Sequence, residues 1–170
     1  MIRMKYCPQC ARPLERRKID ASDASDEVER VACSAAGCTF VHWDNPIPVV
    51  AALVQTAAGF VLARNAKWPP GLFSIIAGFL EREESPEGAI AREAKEELGL
   101  ETRALTFIGH YPFFEQNQLM LAFLVRADGV PVPNAELAEV KVLSRAELER
   151  FDFGRLELTA RIVRDALRMP

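Results

Sequence analysis

The stretch from Gly78 to Leu100, GFLEREESPEGAIAREAKEELGL, constrains this chain more than any other. It carries both ends of a helix. Ser85 is a good N-cap, and Pro86 suits the first helical position, where a missing N–H costs nothing. Glu87 lies near the positive end of the dipole, and Gly99 suits a left-handed C-terminal cap. The pattern predicts a helix over 86–98. Glu93, Glu96 and Glu97 then fall at i, i+3 and i+4 and share one face. They sit in the last two turns, where the dipole disfavours each anion by roughly 0.3–1 kcal/mol. A lone Glu pair reads as a solvated acidic face. Three acids at the unfavourable end, with a spaced Gly, Glu and Arg around them, point instead to a divalent oxygen-loving cation.

Those residues also carry a family resemblance. Gly78, five residues, Glu84, seven residues, Arg92-Glu93, two residues, Glu96-Glu97, one residue, Gly99 and an apolar residue match the Nudix box at every defined position. Ala94 is a small occupant of the first apolar slot. The resemblance implies a loop–helix–loop that binds Mg²⁺ or Mn²⁺ and hydrolyses a nucleoside diphosphate linked to another group. By analogy Glu93, Glu96 and Glu97 hold one to three ions, and Glu97 is the base or a bridging ligand. Arg92 orients the loop by pairing with a carboxylate, Glu84 being the expected partner. Glu136, in Glu136-Leu137-Ala138-Glu139, matches a downstream acidic position that adds a metal ligand, with Glu139 as the competing choice.

All four cysteines lie in the first 38 residues, as Cys7-x2-Cys10 and Cys33-x4-Cys38. Two close pairs across a loop suit one tetrahedral Zn²⁺ held by four thiolates. Two disulfides are the alternative, disfavoured in a reducing compartment. His42 follows closely but reads as a surface or packing residue, because four thiolates already close the site. A closed site leaves no position for water, so this metal is expected to hold structure. The polar stretch from Arg16 to Arg30 reads as a ribbon hairpin or a mobile loop. These readings divide the chain into a zinc ribbon at 1–45 and a Nudix hydrolase domain at 46–170.

A chain of 170 residues allows one sizeable core plus a small appendage. Its net charge of −3 supplies no bulk attraction to nucleic acid or an anionic membrane. The longest apolar run, Val49 to Val54, is too short to span a bilayer, and Met1 to Cys7 forms no apolar signal segment. The expectation is a cytoplasmic protein. Strands are expected at Val49–Gln55, Phe60–Arg64, Leu72–Ala77, Arg103–His110, Leu119–Arg126 and Val140–Leu143. Ser144-x-x-Glu147 is a capping box for a short helix, and a final helix spans Glu157 to Arg168. The fold class is α/β: an α/β/α sandwich with a mixed sheet, preceded by the ribbon.

A ribbon before a Nudix domain resembles the NADH pyrophosphatase group over nearly the whole chain. That group carries S-Q-P-W-P-F-P-x-S after the box, whereas this chain reads Gly109-His110-Tyr111-Pro112-Phe113-Phe114-Glu115-Gln116-Asn117-Gln118. The position, one proline and the aromatic character persist, but the string does not. The expected substrate is a small nucleotide of the NAD(H), ADP-ribose or FAD type. Phe79 matches a base-stacking position of the NADH enzymes. Tyr111 and Phe113 are expected as further pocket walls, and Glu115 as a polar contact. Core packing is the alternative for each aromatic. Removal of NAD-type caps from RNA ends uses the same chemistry. A non-catalytic ribbon that binds nucleic acid or protein is the rival class, weakened because Arg16-Arg17-Lys18 is its only basic cluster. A homodimer is expected by family resemblance alone.

Overall fold

The computed structural model describes residues 4–20 and 27–169. The chain divides into two compact units, Met1–Asn45 and Pro46–Pro170. In the first, β1 (Leu14–Asp20) and β2 (Glu27–Cys33) pair antiparallel, and β3 (Val41–His42) joins β2. The stretch from Arg16 to Arg30 is therefore a hairpin in its described parts, while residues 21–26 of that reading lie outside the described residues.

The second unit is built on a six-stranded mixed sheet. Its strands are β4 (Ile47–Thr56), β5 (Gly59–Asn65), β6 (Ile76–Phe79), β7 (Glu101–Phe113), β8 (Gln118–Asp128) and β9 (Leu137–Leu143). The order is β7-β8-β4-β5-β9, with β6 paired to β4. Only β4 and β8 run parallel among the described pairs. Helix α1 (Pro86–Leu98) covers one face, burying Ala89, Ile90 and Leu98 with Val50, Ala52 and Val54. On the other face α2 (Arg145–Glu149) and α3 (Glu157–Leu167) bury Leu148, Ile162 and Val163 with Ala51 and Leu53. Alternate residues of β4 thus feed two cores, which is why its run reads as continuously apolar rather than alternating. This is the expected α/β/α sandwich with a mixed sheet. No described helix is long and apolar enough to cross a membrane.

Several expected elements differ in extent, β9 starting at Leu137 rather than Val140 among them. The strand expected at Leu72–Ala77 begins at Ile76 and continues through Phe79, because its pairing with β4 runs from Ala52↔Ile76 to Val49↔Phe79. Ser74 makes only an isolated bridge to Ala63. The strand expected to end at His110 continues to Phe113. Pro112 is tolerated there because β7 is an edge strand, so a missing N–H removes no second ladder. The connection is consequently short, a 3-10 turn at Phe114–Gln116 followed by Asn117 in the left-handed region.

Candidate metal centre and cysteine cluster

The sheet and α1 deliver the acidic site together. Ser85 accepts a hydrogen bond from the Gly88 N–H at 3.1 Å, starting the helix. Gly99 ends it at φ 66°, donating its N–H back to the last turn. The helix therefore runs 86–98 as its ends predict. Arg92 organises the polar face. Its Nε donates to Glu84 Oε1 at 2.9 Å and its Nη2 to Glu84 Oε2 at 3.0 Å, a two-pronged pairing. Its Nη1 reaches Glu93 at 2.7 Å and Glu96 at 3.1 Å, and Nη2 also reaches the Phe79 carbonyl at 3.2 Å. One guanidinium thus ties the loop before the helix, the helix face and the end of β6. The Arg92 hydrogen bonds hold the Glu84 carboxyl below its usual range.

Glu93 occupies the closest position to the sheet. A Cβ built on Gly78 would lie 1.9 Å from Glu93 Oε1, so glycine at 78 is what gives this carboxylate its place. Gly78 pairs with Val50 on the α1 face of the sheet. Glu97 lies one helical turn further on and is half-buried. Its carboxyl is pushed up to about 7, first by burial and then by the charges of Glu93, Glu136 and Glu96. Glu136 therefore faces the same site, whereas Glu139 pairs with Arg64 at 3.5 Å, in register across β5 and β9. Among the described residues, no ion pair reaches Glu97 or Glu136, so Arg92 neutralises only part of the cluster. The carboxylate oxygens are not drawn together, since Glu93 and Glu96 both turn to Arg92. Hard oxygen donors with uncompensated negative charge suit a divalent oxygen-loving cation.

The aromatic residues fall elsewhere. Phe79 pairs with Val49 and so shares the face of Ala51 and Leu53, opposite α1. It is 57% exposed. Phe113, opposite Gln118, and Tyr111, opposite Met120, belong to that same face. Phe113 is half-buried and Glu115 is exposed on the 3-10 turn. Tyr111 corrects the expectation of a pocket wall. It is only 4% exposed, belongs to the core with Ile162 and Val163, and donates its hydroxyl to Asp165 at 2.9 Å. Burial and the Asp165 carboxylate push its phenol up to about 12. Asn134, absent from the sequence reading, stands between two of these acids: its N–H donates to the Glu97 carbonyl at 3.0 Å and its side chain accepts from the Glu136 N–H at 2.9 Å. Its only sequence signal is the spacing Asn134-Ala135-Glu136, which allows an Asx turn onto the acidic residue.

In the first unit the four cysteine sulfurs lie within 4.8 Å of one another, and they are the only such group of three or more among the described residues. Cys7 Sγ is 3.7 Å from Cys38 Sγ, and Cys10 Sγ is 3.4 Å from Cys33 Sγ. A tetrahedral zinc with sulfurs at about 2.3 Å needs sulfur–sulfur separations of about 3.8 Å, close to these values. A disulfide needs about 2.05 Å, so these are free thiols arranged as a ligand set. Two turns shape it. Ala11, at φ 57°, donates its N–H to the Cys7 carbonyl, and Gly37, at φ 77°, precedes Cys38. His42 stands outside the set, with Nε2 3.7 Å from Asp44 Oδ1.

Comparison with known proteins places these features. The family pattern described as NUDIX domain matches residues 45–162. A protein from Vibrio vulnificus named NAD-capped RNA hydrolase NudC is 29% identical over 140 residues, which cover 81% of this chain and 50% of that protein. A protein of the same name from Mycobacterium bovis is 38% identical over 105 residues, covering 59% of this chain and 34% of that one. The chain thus spans half or less of the curated relatives it matches. A crystal structure of a NUDIX hydrolase from Nitrosomonas europaea has the same fold, with a TM-score of 0.67 at 24% identity over 95% of this chain and 92% of that one. On the match over residues 45–162, with the box helix set on its mixed sheet, the chain belongs to the NUDIX domain family.

Proposed function

We propose that this protein is a metal-dependent pyrophosphohydrolase that cleaves the diphosphate linkage of a dinucleotide or another nucleoside diphosphate derivative of the NAD(H), ADP-ribose or FAD type. The observation that carries the reading is Glu97, a half-buried carboxyl surrounded by Glu93, Glu96 and Glu136 with no cation of its own. Residues 46–170 serve as the hydrolase domain and residues 1–45 as a zinc ribbon with Cys7, Cys10, Cys33 and Cys38 as ligands. Glu93, Glu96, Glu97 and Glu136 are the ligands for Mg²⁺ or Mn²⁺, with Glu136 preferred over Glu139 because Arg64 already engages the latter.

A divalent ion bound there neutralises the diphosphate and lowers the pKa of water. The protein's own groups do the rest. Glu97 accepts a proton from the attacking water as the general base. Arg92 holds Glu93 and Glu96 on the helix face and Glu84 in the preceding loop, so the carboxylates are oriented before substrate arrives. Gly78 leaves room for Glu93. Phe79 supplies an exposed ring at the end of β6, and stacking on it favours a flat base without selecting strongly between bases. Phe113, on the same sheet face as Phe79, and Glu115, on the 3-10 turn, contribute further contacts.

The names of the NudC relatives support an NAD-type substrate and equally support action on NAD-capped RNA ends. We also assign the protein to the cytoplasm and to a homodimer, by analogy with the family. The test is a panel of NADH, NAD, FAD, ADP-ribose and NAD-capped RNA with Mg²⁺ or Mn²⁺, the products identified by mass. Release of a nucleoside monophosphate is expected from at least one member, and none from any would reject the enzyme reading. Gly78→Ala is expected to displace Glu93 and weaken Mn²⁺ binding at least several-fold. Titration of Mn²⁺ followed by electron paramagnetic resonance checks this, and wild-type affinity would remove Glu93 from the ligand set.

A further inference from the structure

We propose that Asn134 is a positioning residue for the metal centre: it ties Glu136 to the C-terminal end of the box helix. The inference rests on the reading of Glu136 as a metal ligand. The last carbonyls of a helix have no partner within it. Here the segment leading into β9 satisfies two of them. The Val132 N–H donates to the Leu98 carbonyl at 2.8 Å, and the Asn134 N–H donates to the Glu97 carbonyl at 3.0 Å. The Asn134 side chain then accepts from the Glu136 N–H, Oδ1 to N 2.9 Å, and the Asn134 carbonyl accepts from Leu137 at 3.3 Å. On the far side, the Glu136 carbonyl accepts from the Ala66 N–H at 2.7 Å, which joins it to the end of β5.

Asn134 therefore uses its N–H, its carbonyl and its side chain on one task. It links the backbone of Glu97 to the backbone of Glu136. This coupling answers a specific electrostatic problem. Glu136 is exposed on a connecting segment, and its neighbours across the site are carboxylates, so repulsion favours its moving away. A flexible loop would hold it near Glu97 only after a cation had bound, and ordering the loop would then subtract from binding. The Asx turn supplies that order beforehand. The helix end and the fourth carboxylate become one unit, although Glu136 lies 39 positions after Glu97 in the sequence. Alanine at 134 keeps the backbone bond to Glu97 but removes the acceptor for Glu136.

The experiment compares the full-length wild type with Asn134→Ala, Glu136→Gln and the double variant. Mn²⁺ affinity is read by electron paramagnetic resonance, and amide hydrogen exchange is read on the metal-free proteins. Asn134→Ala is expected to weaken Mn²⁺ binding roughly threefold to tenfold, the scale of one hydrogen bond. The Glu136 amide should exchange faster, while kcat at saturating metal stays close to wild type. Asn134→Ser, whose hydroxyl can accept in the same turn, should recover part of the affinity. In the Glu136→Gln background Asn134→Ala should cost nothing further, because the ligand it positions is gone. If Glu136→Gln weakens binding but Asn134→Ala does not, the positioning role is overturned and the ligand reading stands. An undiminished loss in the double variant would also overturn it, as a merely structural effect. Unchanged affinity in Glu136→Gln would overturn the ligand reading and the role of Asn134 with it.

Discussion

Glu97→Gln is expected to lower turnover of a diphosphate substrate by about two to four orders of magnitude, the range for loss of a general base. The side chain keeps its shape, so the fold should survive. The substitution removes both a proton acceptor and a charge from the most crowded point of the acidic face. It should also change how metal-free stability depends on pH. The Glu97 carboxyl lies at about 7 in the folded protein against an ordinary 4.5, raised by burial and by Glu93, Glu136 and Glu96. Between those values the folded state holds a proton that the unfolded chain has released, so stability falls as pH rises from 4.5 to about 7. Thermal midpoints in chelator at pH 5 and pH 8 should differ less for Glu97→Gln than for wild type. Added Mg²⁺ should restore wild type at pH 8 more than it restores the variant. A rate near wild type in Glu97→Gln would sink the catalytic assignment.

Cys7→Ser is expected to abolish stoichiometric zinc binding and unfold the first unit. Cys7 is buried, and it faces Cys38 across the cluster at 3.7 Å. Outside that cluster the described residues of the unit offer little apolar burial, Ala32 being the one that is buried. On the zinc-ribbon reading proposed above, metal binding supplies most of the unit's folding free energy, structural zinc in zinc-finger peptides contributing roughly 10–16 kcal/mol. Serine is a poor zinc ligand, and three thiolates do not close a tetrahedron. The second unit has two cores of its own on either side of the sheet, so its unfolding transition should persist. Zinc content by atomic absorption and calorimetry of the full-length protein check both statements. Undiminished zinc in Cys7→Ser would refute the ribbon, and loss of both transitions would show that the two units fold as one.

Much of this could be read along the chain because its causes are local. The caps at Ser85 and Gly99 depend on residues within a turn of each other, so the box helix appears where the sequence predicts it. The capping box at Ser144 and Glu147 is equally local and forms as expected. The pairing of Arg92 with Glu84 is present as the family resemblance implies. The spacing of the cysteines likewise anticipates a cluster that the fold assembles.

What tertiary structure alone decided depends on register and on distant pairings. The parity of β6 against β4 sends Gly78 to the helix side and Phe79 to the other, a separation that adjacent sequence positions conceal. Tyr111 reads as a pocket aromatic, yet Asp165, far along the chain, claims its hydroxyl and draws it into the core. Arg64 likewise pairs with Glu139 across β5 and β9, a contact that the spacing of Glu136 and Glu139 does not reveal. By itself the sequence determined where a charged helix and a thiolate cluster form, because short-range geometry sets both. The tertiary structure decided which side chains surround them, because a strand's facing changes with every one-residue shift in pairing and a partner's position does not exist until the sheet closes.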